Sequence, residues 1–250
     1  MFKLKKFASL MMFLALTSPT GAFAAGILND TGLAFTGTID GYSRYIWRGF
    51  TVESKPVLQP GLTLSGYGAN VNLWGSMPLR GNSETAPSDE IDLTVGYAFE
   101  FASLGFSAGY LAYTYPYADN LATHEASVGV ALGKFLPFDL NLTYYFGLEN
   151  QEGGNESYGS VDAAKTFTLG SAPDFTLALH YGWLRNYDFG AGLGNGGDAM
   201  ISLKAALSLG EKVSLTPTLA YVYPFGDVAD ENLGAQSPTF FGGLSFGFGN

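Results

Sequence analysis

Between Phe138 and Phe146, apolar and polar positions alternate without a break: Phe138, Leu140, Leu142, Tyr144 and Phe146 interleave with Asp139, Asn141, Thr143 and Tyr145. A period of two places the two sets on opposite faces of a β-strand. The rhythm recurs along the chain. Phe175, Leu177, Leu179, Tyr181 and Trp183 alternate with Thr176, Ala178, His180 and Gly182. Ile201, Leu203, Ala205, Leu207 and Leu209 alternate with Met200, Ser202, Lys204 and Ala206, and Val213, Leu215, Leu219, Tyr221 and Tyr223 oppose Ser214, Thr216 and Thr218. Twelve strands are predicted, at 33–46, 57–66, 69–77, 90–100, 103–114, 124–133, 137–148, 158–169, 174–185, 199–209, 212–223 and 239–249. Each is close to the roughly 9–11 residues with which a tilted strand crosses a bilayer.

The connections alternate between tight and long. Segments 66–69, 100–103, 133–137, 170–174 and 210–212 are short, whereas 47–56, 79–89, 115–123, 149–157, 186–198 and 224–238 are longer. Short periplasmic turns, longer outside loops and an even strand count are the layout of outer-membrane barrels. The pattern therefore predicts an all-β transmembrane, antiparallel, up-and-down barrel. Its apolar set faces lipid and its other set faces the lumen. Lys204 on the lipid face would cost about 2–4 kcal/mol near the midplane, so the register is strongly specified. Two positions disturb the pattern: Lys165 shares the phase of Val161 and Ala163, and Pro217 sits on an apolar face without a ladder donor. A bulge or a strand end is expected at the first and a bulge at the second. Aromatics gather at strand ends (Tyr97, Phe99, Phe101; Tyr113, Tyr115, Tyr117; Tyr144, Phe146), as interfacial girdles do.

The first residues follow a different logic. Lys3, Lys5 and Lys6 precede a short apolar run from Phe7 to Leu16, and Ala22-Phe23-Ala24 supplies a small-x-small cleavage site. This is the layout of an export signal, too short to cross a bilayer as a helix. Residues 1–24 are expected to be removed and 25–250 to form the barrel. The formal net charge of −10, more negative once that leader is gone, argues against nucleic-acid binding. With no cysteine there are no disulfides and no thiolate chemistry. The 15% aromatic, 14% charged composition with 34 glycines suits strands that meet lipid on one side and water on the other.

One polar cluster stands out. Arg44 and Arg48 share the phase of Thr38 and Asp40 and are expected to project inward from the first strand near its outer mouth. Gln59 faces them from the second strand, Asn70, Asn72 and Trp74 line the third, and Glu90 and Asp92 the fourth. Two readings fit. Charged groups of both signs set solute preference at a constriction; alternatively the arginines and carboxylates pair to brace a filled lumen. His180 and Lys204 are further lumen-lining candidates.

The segment Ser43-Arg44-Tyr45-Ile46-Trp47-Arg48-Gly49, the run Lys55-Pro56 to Gln59, Leu73-Trp74-Gly75-Ser76 and Glu90-Ile91-Asp92-Leu93 resemble the TorF-like family of proteobacterial outer-membrane porins. That resemblance covers the first four strands and implies an outer-membrane barrel, with its pore role open. The chain departs from the usual aromatic C-terminus of such barrels, since Phe246 and Phe248 hold the lipid phase but Asn250 is last.

Catalytic signatures are weak. Gly105-Phe106-Ser107-Ala108-Gly109 and Gly243-Leu244-Ser245-Phe246-Gly247 match the nucleophile-elbow spacing, but neither is placed at a strand-to-helix turn. The two histidines, His124 and His180, show no metal spacing and no serine partner. No catalytic residue, metal site or cofactor is expected. The glycine-rich 190–197 stretch reads as a flexible loop, and Asp227, Asp230 and Glu231 as solvated loop charge. The sequence thus predicts a porin-like channel in the bacterial outer membrane, passing small hydrophilic solutes by diffusion. Its partners would be membrane lipid, lipopolysaccharide and the barrel assembly machinery. The alternative is a closed structural or adhesion barrel acting through its external loops.

Overall fold

A computed structural model describes residues 32–79, 89–116, 122–148, 156–170, 173–188 and 192–249. The export-signal segment and Asn250 lie outside them. The strands are β1 (Leu33–Tyr42), β2 (Tyr45–Trp47), β3 (Phe50–Glu53), β4 (Val57–Gly66), β5 (Ala69–Pro78), β6 (Glu90–Phe101), β7 (Leu104–Thr114), β8 (Ala122–Ala131), β9 (Asp139–Gly147), β10 (Ser157–Phe167), β11 (Asp174–Asp188), β12 (Leu193–Ser208), β13 (Val213–Gly226) and β14 (Thr239–Gly249). All except β2 and β3 form one closed antiparallel barrel in which each strand pairs with its sequence neighbour. Pairing of β1 with β14, from Thr36↔Gly249 to Tyr42↔Gly243, completes the ring of twelve strands. Closure leaves no unpaired sheet edge, the condition for a sheet to cross lipid.

The alternation read from the sequence maps onto the two faces. Leu64, Leu73, Leu93, Leu142, Leu179, Tyr181, Trp183, Ile201, Leu203, Leu219 and Leu244 are exposed on the outside. Buried polar groups line the inside, among them Asp40, Gln59, Glu90, Asn141, Asp162, His180, Asp198 and Ser245. Apolar outside and polar inside is the inverse of a water-soluble core, and it is what a lipid solvent selects. His124 points outward, where it stacks on Tyr110 and lies 2.7 Å from its hydroxyl.

Both anomalous positions keep their register. Lys165 pairs with Leu177 in an unbroken β10–β11 ladder and is exposed close to the strand end, with its ammonium 5.9 Å from the Phe167 ring. It is an end effect, and there is no bulge. Pro217 pairs with Leu244 on its β14 side, whereas the β12–β13 ladder skips from Lys204↔Thr218 to Leu207↔Leu215 without a change of register. The expected bulge is therefore absent; proline removes one donor, and the ladder lapses locally beside it.

Two stretches expected to be loops are ordered. Strand β12 begins at Leu193, so much of the glycine-rich stretch belongs to the barrel wall. The larger difference concerns the first strand, which ends at Tyr42 rather than at 46. Ser43 leaves the wall through its amide, which donates to Gly242 O at 2.9 Å. Residues 45–53 then form a separate two-stranded hairpin.

Candidate functional site

The β2–β3 hairpin folds into the barrel. Its turn consists of Arg48 (φ 48°) and Gly49 (φ 85°), with Trp47 paired to Phe50. Two central residues with positive φ define the two-residue turn whose twist matches a hairpin, and glycine at the second position makes it accessible. A β-carbon on Gly49 would come within 2.9 Å of Asp198 Cβ, so the tip abuts β12, three strands round the ring from β1. Arg44 and Arg48 therefore project from this infolded segment and not from the first strand, as the alternation alone had suggested.

Arg48 pins the tip. Its guanidinium donates to both carboxylate oxygens of Glu125 on β8, through Nη1 and Nη2, each at 2.6 Å. It lies 4.5, 4.8 and 4.4 Å from the ring centres of Trp47, Tyr145 and Tyr158. Tyr113 Oη also donates to Glu125, at 2.8 Å. The two charged side chains are 9% and 13% exposed. Burial disfavours the Arg48 charge, but the adjacent carboxylate outweighs this and holds the guanidinium above its ordinary pKa. A bidentate pair between aromatic rings is directional as well as strong. Trp47 adds edge contact to Tyr113 and packs near Tyr187, and the Thr51 amide donates to Gln236 Oε1 of the β13–β14 connection. The hairpin thus touches both sides of the lumen.

Beneath the tip lies a second network. His180 Nδ1 donates to Asp162 Oδ1 at 2.6 Å, and its Nε2 is 2.7 Å from Tyr158 Oη. Tyr158 donates to Asp198 Oδ1 at 3.1 Å, and Ser160 to Asp162 Oδ2 at 2.8 Å. Tyr158 lies flat here because Gly182 has no side chain: a β-carbon there would fall 1.9 Å from Tyr158 Oη. Both His180 ring nitrogens are engaged by Asp162 and Tyr158, and none of the hydroxyls reaching it belongs to a serine. The two nucleophile-elbow look-alikes lie within β7 and β14, in continuous ladders.

A cavity of about 140 Å³ remains beside the hairpin. Of the ten lumen candidates read from the sequence, it brings together Arg44, Arg48, Gln59, Asn72, Trp74, Asp92, His180 and Lys204. Glu90 and Asn70 lie outside its lining. Glu90 is buried and hydrogen-bonded to Tyr45 and Asp92; Asn70 sits at the opposite end of β5 against Gly96. Gln59 Nε2 donates to Ser76 Oγ at 3.2 Å, and Asn72 Nδ2 to Thr63 Oγ1 at 2.8 Å. Lys204 acts electrostatically on Asp40 of β1. Neither arginine pairs with Glu90 or Asp92, because the hairpin carries Arg48 past them to β8. The groups the sequence reading missed are Glu125, Tyr113, Tyr145, Tyr158, Asp162 and Asp198. The polar phase contained a signal for several of them: Glu125 shares the face of Ser127, Tyr145 that of Asn141 and Thr143, Asp162 that of Ser160, and Asp198 that of Ser202 and Lys204. Among the described residues, no group of three or more acidic, histidine or cysteine side chains is placed to hold a metal.

Solved structures with this architecture are outer-membrane barrels. The chain superimposes on the NanC porin with a TM-score of 0.54 at 11% identity, covering 85% of this chain and 98% of that one. A membrane protein from work described as "Unveiling the Mechanism Behind the in-meso Crystallization of Membrane Proteins" gives 0.53 at 13% identity, over 86% and 83%. The COG4313 outer membrane channel from Pseudomonas putida F1 is more distant, at 0.47 and 11% identity over 92% and 98%. At these identities the likeness is one of fold, and it defines the molecule as a porin-like, outer-membrane-type barrel. Within that class the chain belongs to the family described as "Bacterial protein of unknown function (Gcw_chp)", which residues 28–215 match. The matched region contains all the opening motifs that resemble TorF-like porins, although that name is not part of the family's description. No curated protein matches in sequence.

Proposed function

We propose that this chain is a narrow outer-membrane channel for passive diffusion of small hydrophilic solutes, with the β2–β3 hairpin as its constriction. The observation that carries the reading is the cavity beside the hairpin, where Arg44, Arg48, Asp92, His180, Asp198 and Lys204 stand among aromatic side chains. A barrel whose only task was to be a rigid wall would gain from closing that space with apolar packing, as small filled barrels do. In this reading residues 1–24 direct export and are removed, and 25–250 insert with the help of the barrel assembly machinery. The outward apolar band then meets lipid and lipopolysaccharide. The lumen works by size and charge and requires no cofactor or catalytic residue.

Detergent-purified, folded protein in planar bilayers tests this directly. Small discrete conductance steps with a defined reversal potential are expected. Silence from protein shown to be folded would refute the channel. The Arg48–Glu125 latch favours one rival specifically, a closed structural or adhesion barrel presenting its external loops, and that rival predicts silence.

A further inference from the structure

Arg48 fills a site that the barrel wall builds without it. Tyr113, Glu125, Tyr145 and Tyr158 stand on β7, β8, β9 and β10, four consecutive strands of the ring. Each is held from within the wall. Tyr113 donates to Glu125 Oε2 at 2.8 Å. Tyr145 and Tyr158 are direct cross-strand partners, with ring centres 6.0 Å apart. The Tyr158 hydroxyl is tied to His180 and Asp198, and Gly182 leaves room for it. A carboxylate and two ring faces fixed in this way remain a cation site when the arginine is gone.

The occupant is less firmly committed than the site. Strands β2 and β3 pair with each other in a sheet separate from the barrel, so the tip can leave without opening a wall ladder. Arg48 has φ 48°, a conformation that strains a residue with a β-carbon, and its contact with Glu125 has to outweigh that strain. An incoming cation carries no such cost. The cavity beside the hairpin is lined by Arg48, Tyr113, Tyr145 and Tyr158, which gives a solute in the lumen access to the same rings. At about 140 Å³ it has room for a small molecule only. The shape of the site is selective. Two N–H groups of one flat cation meet the two oxygens of Glu125 at 2.6 Å each, and the Tyr158 and Tyr145 ring centres lie 4.4 and 4.8 Å from its carbon. A planar guanidinium matches both features, whereas an ammonium is one strongly hydrated point charge.

We propose that this wall site is a receptor for a small guanidinium-type cation and that Arg48 is its resident competitor: an arriving cation takes Glu125 and the tyrosine faces, and the hairpin tip is released. The cation donates to both Glu125 oxygens and lies against the rings of Tyr145 and Tyr158. Exchange of one guanidinium for another keeps Glu125 paired, and so avoids the uncompensated buried carboxylate that simple breaking of the pair would leave. Binding itself needs no pore. Its effect on flow rests on the channel reading, in which displacement of the tip widens the constriction.

The test is calorimetric titration of the folded barrel in detergent with ethylguanidinium, and with ethylammonium at equal ionic strength. The wild type should bind ethylguanidinium saturably, at least about tenfold more tightly than ethylammonium. Arg48→Gly removes the competitor and suits the positive φ of the turn, and should tighten ethylguanidinium binding by at least about tenfold. Adding Glu125→Gln to that variant should weaken it by at least about tenfold, and adding Tyr145→Leu by about threefold or more. Heat-modifiable migration checks that each variant is folded, and the wild-type titration stands without any variant. No saturable ethylguanidinium binding by the wild type up to about 100 mM, well above the effective concentration of a tethered competitor, overturns the proposal. Equal binding of ethylammonium, or no gain in Arg48→Gly, does the same. Bilayer conductance in potassium chloride, measured on the same preparation, reports separately on the channel, and ethylguanidinium should enlarge the wild-type steps. Steps without ethylguanidinium binding refute only the receptor, and binding without steps refutes only the channel. Binding that leaves the steps unchanged refutes release of the tip.

Discussion

Arg48 shows how much a single side chain can organise. Removing it leaves Glu125 buried without its partner, and breaking such a pair costs about 3–5 kcal/mol. Arg48→Gln is therefore expected to lower resistance to denaturant and to raise single-channel conductance, because the hairpin tip loses its anchor. A double-mutant cycle with Glu125→Gln should reveal a favourable coupling; additive effects would show that the two groups do not act as a pair. Among the described residues Arg44 forms no ion pair, so Arg44→Gln should leave stability nearly unchanged and shift the reversal potential towards cations. Gly182 makes the complementary case. A methyl there collides with Tyr158 Oη, and overpacking of this sort costs about 1–3 kcal/mol. Gly182→Ala should destabilise the barrel, and adding Tyr158→Phe, which deletes the atom nearest the clash, should recover part of the loss.

At the level of elements, the hairpin and the wall are separable. The β1–β4 ladder continues to Tyr42↔Val57, so the barrel closes without help from residues 45–53. Replacing those residues with a short glycine–serine linker should leave a folded, heat-modifiable barrel of higher conductance. Unchanged conductance would mean that the hairpin is not the constriction. The element was also the least readable one. Tyr45-Ile46-Trp47 and Phe50-Thr51-Val52 flank Arg48-Gly49 as the arms of a hairpin should, yet the apolar alternation runs smoothly out of β1, and nothing local marks Ser43 as the point where the chain leaves the wall. That departure depends on Gly242, far away in sequence, receiving the Ser43 amide.

For the molecule as a whole, the solvent on the outer face sets the stability. Leu179 lies mid-strand in the outward row from Phe175 to Trp183 and is exposed. Leu179→Arg should cost about 2–4 kcal/mol in urea unfolding from phospholipid vesicles. Lys165→Gln should change little, since Lys165 already sits close to a strand end. An equal effect of the two would contradict the assignment of the membrane band. Strand number, closure order and most strand limits were legible beforehand because a barrel is built from nearest-neighbour hairpins. Each strand's facing and each turn's length are local properties.

What the sequence determined by itself was the wall: alternation sorted side chains between lipid and lumen, and the rhythm of short and long connections implied an up-and-down ring of twelve strands. It also placed Gln59, Asn72, Trp74, Asp92, His180 and Lys204 on the inner face, because facing follows from parity alone. Only the tertiary structure decided which inward groups meet. The pairing of Arg48 with Glu125 joins residues 77 apart, across a lumen whose width and registers emerge only once the ring has closed. The infolding of the hairpin and the Asp162–His180–Tyr158–Asp198 network are both of this kind. Parity names the face a residue belongs to, while the partner it finds there depends on the closed barrel.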